Sequence, residues 1–124
     1  MSDTFDLLIK SGQIVTPQGV VTGDLGVRGE DIAAIGPNLG AAETIIDASG
    51  KYVMPGGVDP HAHIEQMSGM GVMNADTFET ATRSAAMGGT TSVISFAAQA
   101  KEAKLSDTVA DYSARAARGA MIDH

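Results

Sequence analysis

The chain has 124 residues, 44% of them hydrophobic and 19% charged, which is ordinary globular usage and excludes a disordered polypeptide. Its net charge of -7 excludes a basic nucleic-acid-binding surface. Zero cysteines exclude disulfides and thiolate metal sites, so any metal must be held by His, Asp, Glu or a modified side chain.

Residues 4 to about 52 predict short strands separated by turns. Phe5-Asp6-Leu7-Leu8-Ile9 is the first apolar run, stopped by Ser11-Gly12, and Ile14-Val15 ends at Pro17-Gln18-Gly19. Val20-Val21 and Leu25-Gly26-Val27 follow, then Ile32-Ala33-Ala34-Ile35 before Gly36-Pro37-Asn38, and Thr44-Ile45-Ile46 before Asp47-Ala48-Ser49-Gly50. Runs of this length, each bounded by Gly, Pro, Asn or Asp, predict a small sheet or sandwich.

From Val53 the rhythm changes. Val53 to Ile64 is strand-like, and a Met- and Gly-rich loop runs from Glu65 to Ala75. Asp76, with Glu79 three positions on, reads as an N-cap with its capping box. The helix it opens puts Phe78, Ala81 and Ala85 on one face and stops at Gly88-Gly89. Thr91 to Phe96 is a β-branched strand. A second helix carries Leu105, Val109, Tyr112 and Ala116 on one stripe and ends at Gly119, with Asp107, Asp111, Arg115 and Arg118 on its solvated face. Met121-Ile122 starts a third strand. Strand, helix, strand, helix, strand implies parallel pairing in an α/β fold. Three parallel strands leave open edges, and a closed (β/α)₈ barrel needs roughly 250 residues, so the chain is expected to be truncated.

No run of about eighteen apolar residues is present, so no membrane span is expected. Met1-Ser2-Asp3-Thr4 lacks the basic-then-apolar pattern of a secretory signal, and a soluble cytoplasmic protein is the expectation.

The chemistry-bearing motif is Asp59-Pro60-His61-Ala62-His63. Alternate side chains of a strand share a face, so Asp59, His61 and His63 point one way and Val58, Pro60, Ala62 and Ile64 the other. Two imidazoles so placed can converge on one metal ion, although a catalytic zinc site needs at least three protein ligands. Asp59 has two readings: an orienter of a ligand histidine, or a strand-end Asp before Pro that ties down backbone groups. Glu65 breaks the alternation and is not expected to be a ligand; His124 reads as structural. The loop with Met67, Met70, Val72 and Met73, and the stretch from Phe96 to Ala100, are candidate walls of a substrate pocket or, equally, packing groups.

The segment Ile46-Asp47-Ala48-Ser49-Gly50-Lys51-Tyr52-Val53-Met54-Pro55-Gly56-Gly57-Val58-Asp59-Pro60-His61-Ala62-His63 resembles the entry segment of the amidohydrolase superfamily. Asn74 to Thr82, Ala85 to Thr91 and the opening Phe5 to Lys10 resemble the hydantoinase/dihydropyrimidinase family of cyclic amidases. The run Glu65-Gln66-Met67-Ser68-Gly69-Met70 is similar to the same branch.

The resemblance implies a (β/α)₈ TIM-type barrel, begun by the βα units of 53–124, and a β-sandwich domain to which 1–52 contributes the N-terminal part. It implies two metal ions per subunit, zinc by expectation. His61 and His63 match the pair that binds the more buried metal, beside which Asp59 would act as the orienter in the first of its two readings. A bridging carboxylated lysine, two further histidines and an aspartate come from later strands in the family. Lys101 and Lys104 match no bridging ligand. The implied activity is ring opening of dihydropyrimidines or 5-substituted hydantoins to N-carbamoyl amino acids, in a homotetramer acting on small cyclic amides or ureides. Allantoinase, dihydroorotase or a non-catalytic dihydropyrimidinase-like interaction protein are the alternatives, and the 124-residue piece by itself is expected to be inactive.

Overall fold

The computed structural model describes residues 4–124, and the chain divides into two compact units, Met1–Pro55 and Gly56–His124. The architecture is mixed α/β. Among the described residues no helix is long and apolar enough to cross a membrane.

The first unit is a five-stranded sheet. β1 (Phe5–Thr16), β2 (Gly19–Arg28) and β3 (Asp31–Gly36) form an antiparallel meander, and β4 (Ala42–Asp47) and the short β5 (Tyr52–Val53) both run parallel to β1. Pro17 and Gln18 make the two-residue turn between Thr16 and Gly19, which are paired across the hairpin. Phe5, Leu8, Ile14, Leu25 and Ala48 are buried.

Two expected breaks are absent. Ser11-Gly12 does not stop β1, and Thr22-Gly23-Asp24 does not divide β2. The register instead shifts between Ile9 and Gly12, with Ser11 in the left-handed region at φ 59°. A bulge of this kind absorbs an extra residue and lets the strand continue. It is pinned from the neighbouring strand: the buried Asp24 carboxylate accepts the Ser11 N–H at 2.9 Å and the Leu39 N–H at 3.3 Å. Gly12 is required on packing grounds, since a Cβ there would meet Val53 Cγ2 at 2.6 Å.

The second unit starts with β6 (Gly57–Ala62), shorter at both ends than the Val53–Ile64 expectation. It continues through α1 (Phe78–Met87) to β7 (Thr90–Ser95), which pairs parallel with β6, and on to α2 (Leu105–Gly119). The expected third strand is limited to a parallel bridge between Ser92 and Asp123, in which the Val93 N–H reaches Asp123 O at 2.9 Å. Ala62, Ile64, Phe78, Val93, Tyr112 and Ala116 form the core.

The N-cap of α1 lies one residue later than expected. Thr77 is the cap, and its partner is Thr80 rather than Glu79: each hydroxyl accepts the other residue's backbone N–H, at 3.3 Å and 3.0 Å. Glu79 pairs with Arg83 instead. The α1 face toward the core uses Phe78 and Thr82, both fully buried, with Ala81 and Ala85 at its margin. The Thr82 hydroxyl donates to Phe78 O and accepts the Met121 N–H. On α2 only the distal half of the expected stripe is covered. Tyr112 and Ala116 are buried, whereas Leu105 and Val109 are exposed, because the core residues contact only that part of the helix.

The Asp24 carboxyl is held below its ordinary value of 3.8, first by the Ser11 N–H and then by the Leu39 N–H and Lys10, against the opposing effect of burial. A lowered native value means that its contribution is complete above the ordinary carboxylate range and is lost as pH falls below it. Asp24→Asn is therefore expected to destabilise the protein at neutral pH and to flatten the loss of stability in acid. Denaturant midpoints measured against pH check this, and parallel curves for the two proteins would contradict it.

Candidate metal centre

The polar face of β6 is the starting point. Pro60 has no N–H for the ladder, and the β6–β7 register shifts between Asp59 and Ala62. The Asp59 carboxylate accepts the His61 N–H at 3.0 Å, and Phe96 donates its N–H to Ala62 O at 2.9 Å. Beyond this point alternation decides what faces where: Ala62 and Ile64 are buried, and His61 and His63 are exposed.

The two imidazoles converge. His61 Nε2 and His63 Nε2 are 3.1 Å apart, with ring centroids at 5.1 Å. Phe96, at the end of β7, stacks on His61 with centroids 4.4 Å apart and planes at 22°, and its centroid is 5.3 Å from that of His63. The third partner is Gln66, whose Oε1 lies 3.0 Å from His63 Nδ1. Its side chain returns to the histidine because Glu65 is in the left-handed region, φ 50°, and reverses the chain just after the strand. Two reciprocal bonds close the turn: Asn74 Oδ1 accepts the Gln66 N–H at 2.9 Å, and Gln66 O accepts the Asn74 N–H at 2.8 Å.

Helix α2 fixes the same segment from below. The buried Tyr112 hydroxyl donates to Ile64 O at 2.6 Å and accepts the Ile64 N–H at 3.2 Å. Arg115 pairs with Asp111 at 2.7 Å and reaches Glu65 O at 3.5 Å, so it is not purely part of a solvated face.

Could this pair hold a metal? Two nitrogens bound to one tetrahedral ion at ordinary zinc distances lie roughly 3.3–3.4 Å apart. The observed separation is within a few tenths of that, and one ring is already braced through its far nitrogen, as metal-binding histidines usually are. The donor set fits a cation as two ligands. Among the described residues no group of three or more His, Asp or Glu that would complete a site is present.

The other expected residues are distributed as follows. Glu65 accepts the Phe78 N–H at 3.0 Å and so caps α1. His124 packs toward the Phe78 ring at 6.4 Å. Lys101 lies exposed in a turn, and Lys104 precedes α2 as its N-cap residue. Met67 and Met73 face each other in an antiparallel bridge and line a cleft of about 300 Å³ with Gln66, Tyr112 and Arg115. Met67 also lines a cavity of about 280 Å³ with His63, Gln66 and Asn74. Met70 lines neither and is 88% exposed. Phe96 supports the histidine rings. Sequence reasoning missed Gln66 and Asn74, and it saw Tyr112 only as one position on a stripe.

A model of the amidohydrolase family matches residues 44–122. The chain belongs to the amidohydrolase family. Members of the family generally bind metal ions, which agrees with the fit of the donor pair. A D-hydantoinase of Ralstonia pickettii is 44% identical over 119 residues, 96% of this chain and 26% of that protein. An allantoinase of Salmonella paratyphi B is 44% identical over 91 residues, 73% of this chain and 19% of its own length. A solved D-hydantoinase structure superposes with a TM-score of 0.89 at 44% identity, covering 96% of this chain and 26% of that one. The chain thus spans about a quarter of the length of the curated relatives it matches.

The Tyr112 hydroxyl is the only side-chain group on the Ile64 amide and carbonyl among the described contacts. Tyr112→Phe is expected to cost about 1–3 kcal/mol, because it leaves buried backbone groups unpaired. Urea denaturation measures this, and an unchanged midpoint would show that the clamp contributes nothing.

Proposed function

We propose that this chain is the N-terminal part of a cyclic amidohydrolase that opens hydantoins or dihydropyrimidines to N-carbamoyl amino acids. The observation that carries the reading is the convergence of His61 Nε2 and His63 Nε2 at the end of a strand, in a chain 44% identical to a D-hydantoinase over 96% of its length. In this reading the second unit supplies the first two βα units of a (β/α)₈ barrel, whose chemistry sits at the C-terminal ends of its strands. The first unit contributes strands to a β-sandwich. Exposed Ile32 and Ile35, which line one groove with Ile9, and exposed Ile46, paired with Ile9, support that part, since an apolar sheet face needs cover.

His61 and His63 would hold one of two zinc ions, with a carboxylated lysine and the remaining ligands supplied from outside these residues. Bound metal makes hydroxide available at neutral pH and polarises the amide carbonyl. The net reaction adds water across the ring C–N bond: the carbonyl carbon gains the oxygen and becomes a carboxylate, the nitrogen gains one hydrogen, and one proton is released to solvent. The residues in hand position and enclose. Phe96 stacks on one face of His61 and fixes the orientation of that ring. Asp59 acts through the His61 backbone and thereby fixes that strand end. Met67, which lines the cavity beside His63, would supply an adaptable apolar wall for the substrate; Met73 faces Met67 across the loop, and Met70 lines neither cavity. Cytoplasmic residence and a homotetramer belong to the same proposal and rest on resemblance. Ring opening of allantoin is the second reading, favoured by the allantoinase match over 73% of the chain.

The test uses the protein expressed from its complete reading frame, with hydantoin, dihydrouracil and allantoin as substrates. Ring opening of the first two, and at least a hundredfold loss of activity together with loss of metal in His61→Ala and His63→Ala, are expected. The loss scale follows from removing a direct ligand, which exceeds the about 10–100-fold typical of outer-shell partners. An active, metal-replete double variant would overturn the assignment, and turnover of allantoin alone would move it to the second reading.

A further inference from the structure

We infer that Gln66 is the positioning residue that fixes the proton of His63 on Nδ1 and makes His63 the prearranged ligand of the pair. This rests on the metal-centre reading above and adds a residue and an order of engagement to it. Gln66 is 8% exposed, and its Oε1 is 3.0 Å from His63 Nδ1. An amide oxygen only accepts, so the ring nitrogen facing it carries the hydrogen. A neutral imidazole has one N–H, so His63 Nε2 carries a lone pair.

The consequence passes to His61. Its Nε2 lies 3.1 Å from a nitrogen that now only accepts, so His61 is the donor across that contact. His63 is therefore ready to bind a cation as it stands, whereas His61 must first shift its proton to Nδ1. The two histidines are alike in sequence and unlike in state.

The other end of the amide makes no compensating bond, so its direction rests on the contact to His63. Gln66 Nε2 is buried without a hydrogen-bond partner among the described residues. With its backbone held on both sides by Asn74, the side chain has one strong contact, the one to His63. Turning the amide over would put its NH₂ on Nδ1 and force the hydrogen of His63 onto Nε2, the atom that must bind the metal. The Asn74 contacts hold the Gln66 backbone, and an acceptor on Nδ1 is the arrangement that leaves His63 Nε2 free for a cation.

The experiment measures zinc affinity of the complete protein by chelator competition, with the cobalt(II) form giving a ligand-field spectrum. Gln66→Met keeps the length and removes the acceptor. It is expected to weaken zinc by about 10–100-fold and to alter the cobalt spectrum, with the thermal midpoint of the metal-free protein unchanged. Gln66→Glu keeps an acceptor and no donor, and is expected to stay within about threefold of the parent, as in carboxylate–histidine–zinc arrangements. Wild-type affinity in Gln66→Met overturns the inference and leaves the metal centre standing. Loss of zinc in Gln66→Glu also overturns it, because that result requires Nδ1 to accept, and this arm decides the matter even if Gln66→Met fails to fold. A wild-type protein whose zinc is indifferent to His61→Ala and His63→Ala overturns the metal-centre reading, and the role of Gln66 with it.

Discussion

A strand that ends inside a protein leaves its last peptide groups without a ladder partner, and burying them unpaired costs free energy. At the end of β6 this problem falls on Ile64, next to the histidine pair. One hydroxyl, forty-eight positions later in the chain, resolves it: Tyr112 serves both the N–H and the C=O of Ile64. The same ring packs against Phe78 with centroids 5.2 Å apart, so the group that ties down the strand end is also part of the core. The packing of two helices thereby becomes a constraint on where His63 stands. Arg115, one turn further along α2, extends the hold to Glu65.

The polar and apolar sides of that strand depend on each other. Ala62 and Ile64 are buried, and this fixes the rotation of the strand and turns His61 and His63 outward. Phe96 follows directly on the neighbouring strand, at the level where its ring stacks on His61. Holding side chains in one geometry costs rotamer entropy. Here the cost is offset before any cation arrives, by a stack on one ring and an amide on the other.

The histidine pair and its alternation were legible because strand periodicity is a property of neighbouring residues. The two helices and the β6–β7 strand pair were legible for the same reason. What escaped depends on contacts between residues distant in sequence, or on backbone conformations the residue type does not announce. Ser11-Gly12 looks like a terminator, yet Asp24 holds Ser11 in a bulge and the strand runs on. Asp76 and Glu79 satisfy the capping pattern, but Thr77 and Thr80 form the closer reciprocal pair. Gln66 stood in a run that carried resemblance and gave no signal of contact with a histidine. It is three residues past His63, outside the alternation, and reaches the ring only because Glu65 adopts a left-handed backbone uncommon for such a residue.

The spacing of the pair sets a limit on what these residues achieve alone. Two imidazole nitrogens 3.1 Å apart are well placed for one cation and for nothing larger between them. Two ligands still leave a tetrahedral ion short of the three that a catalytic site holds. Both rings are exposed, so the pair presents its donors on an open face and not within a closed cage. A half-site of this kind gains affinity from each added donor without first having to order its own side chains. The support around His63 is built from three separate segments: the turn at Glu65, the Asn74 loop and helix α2.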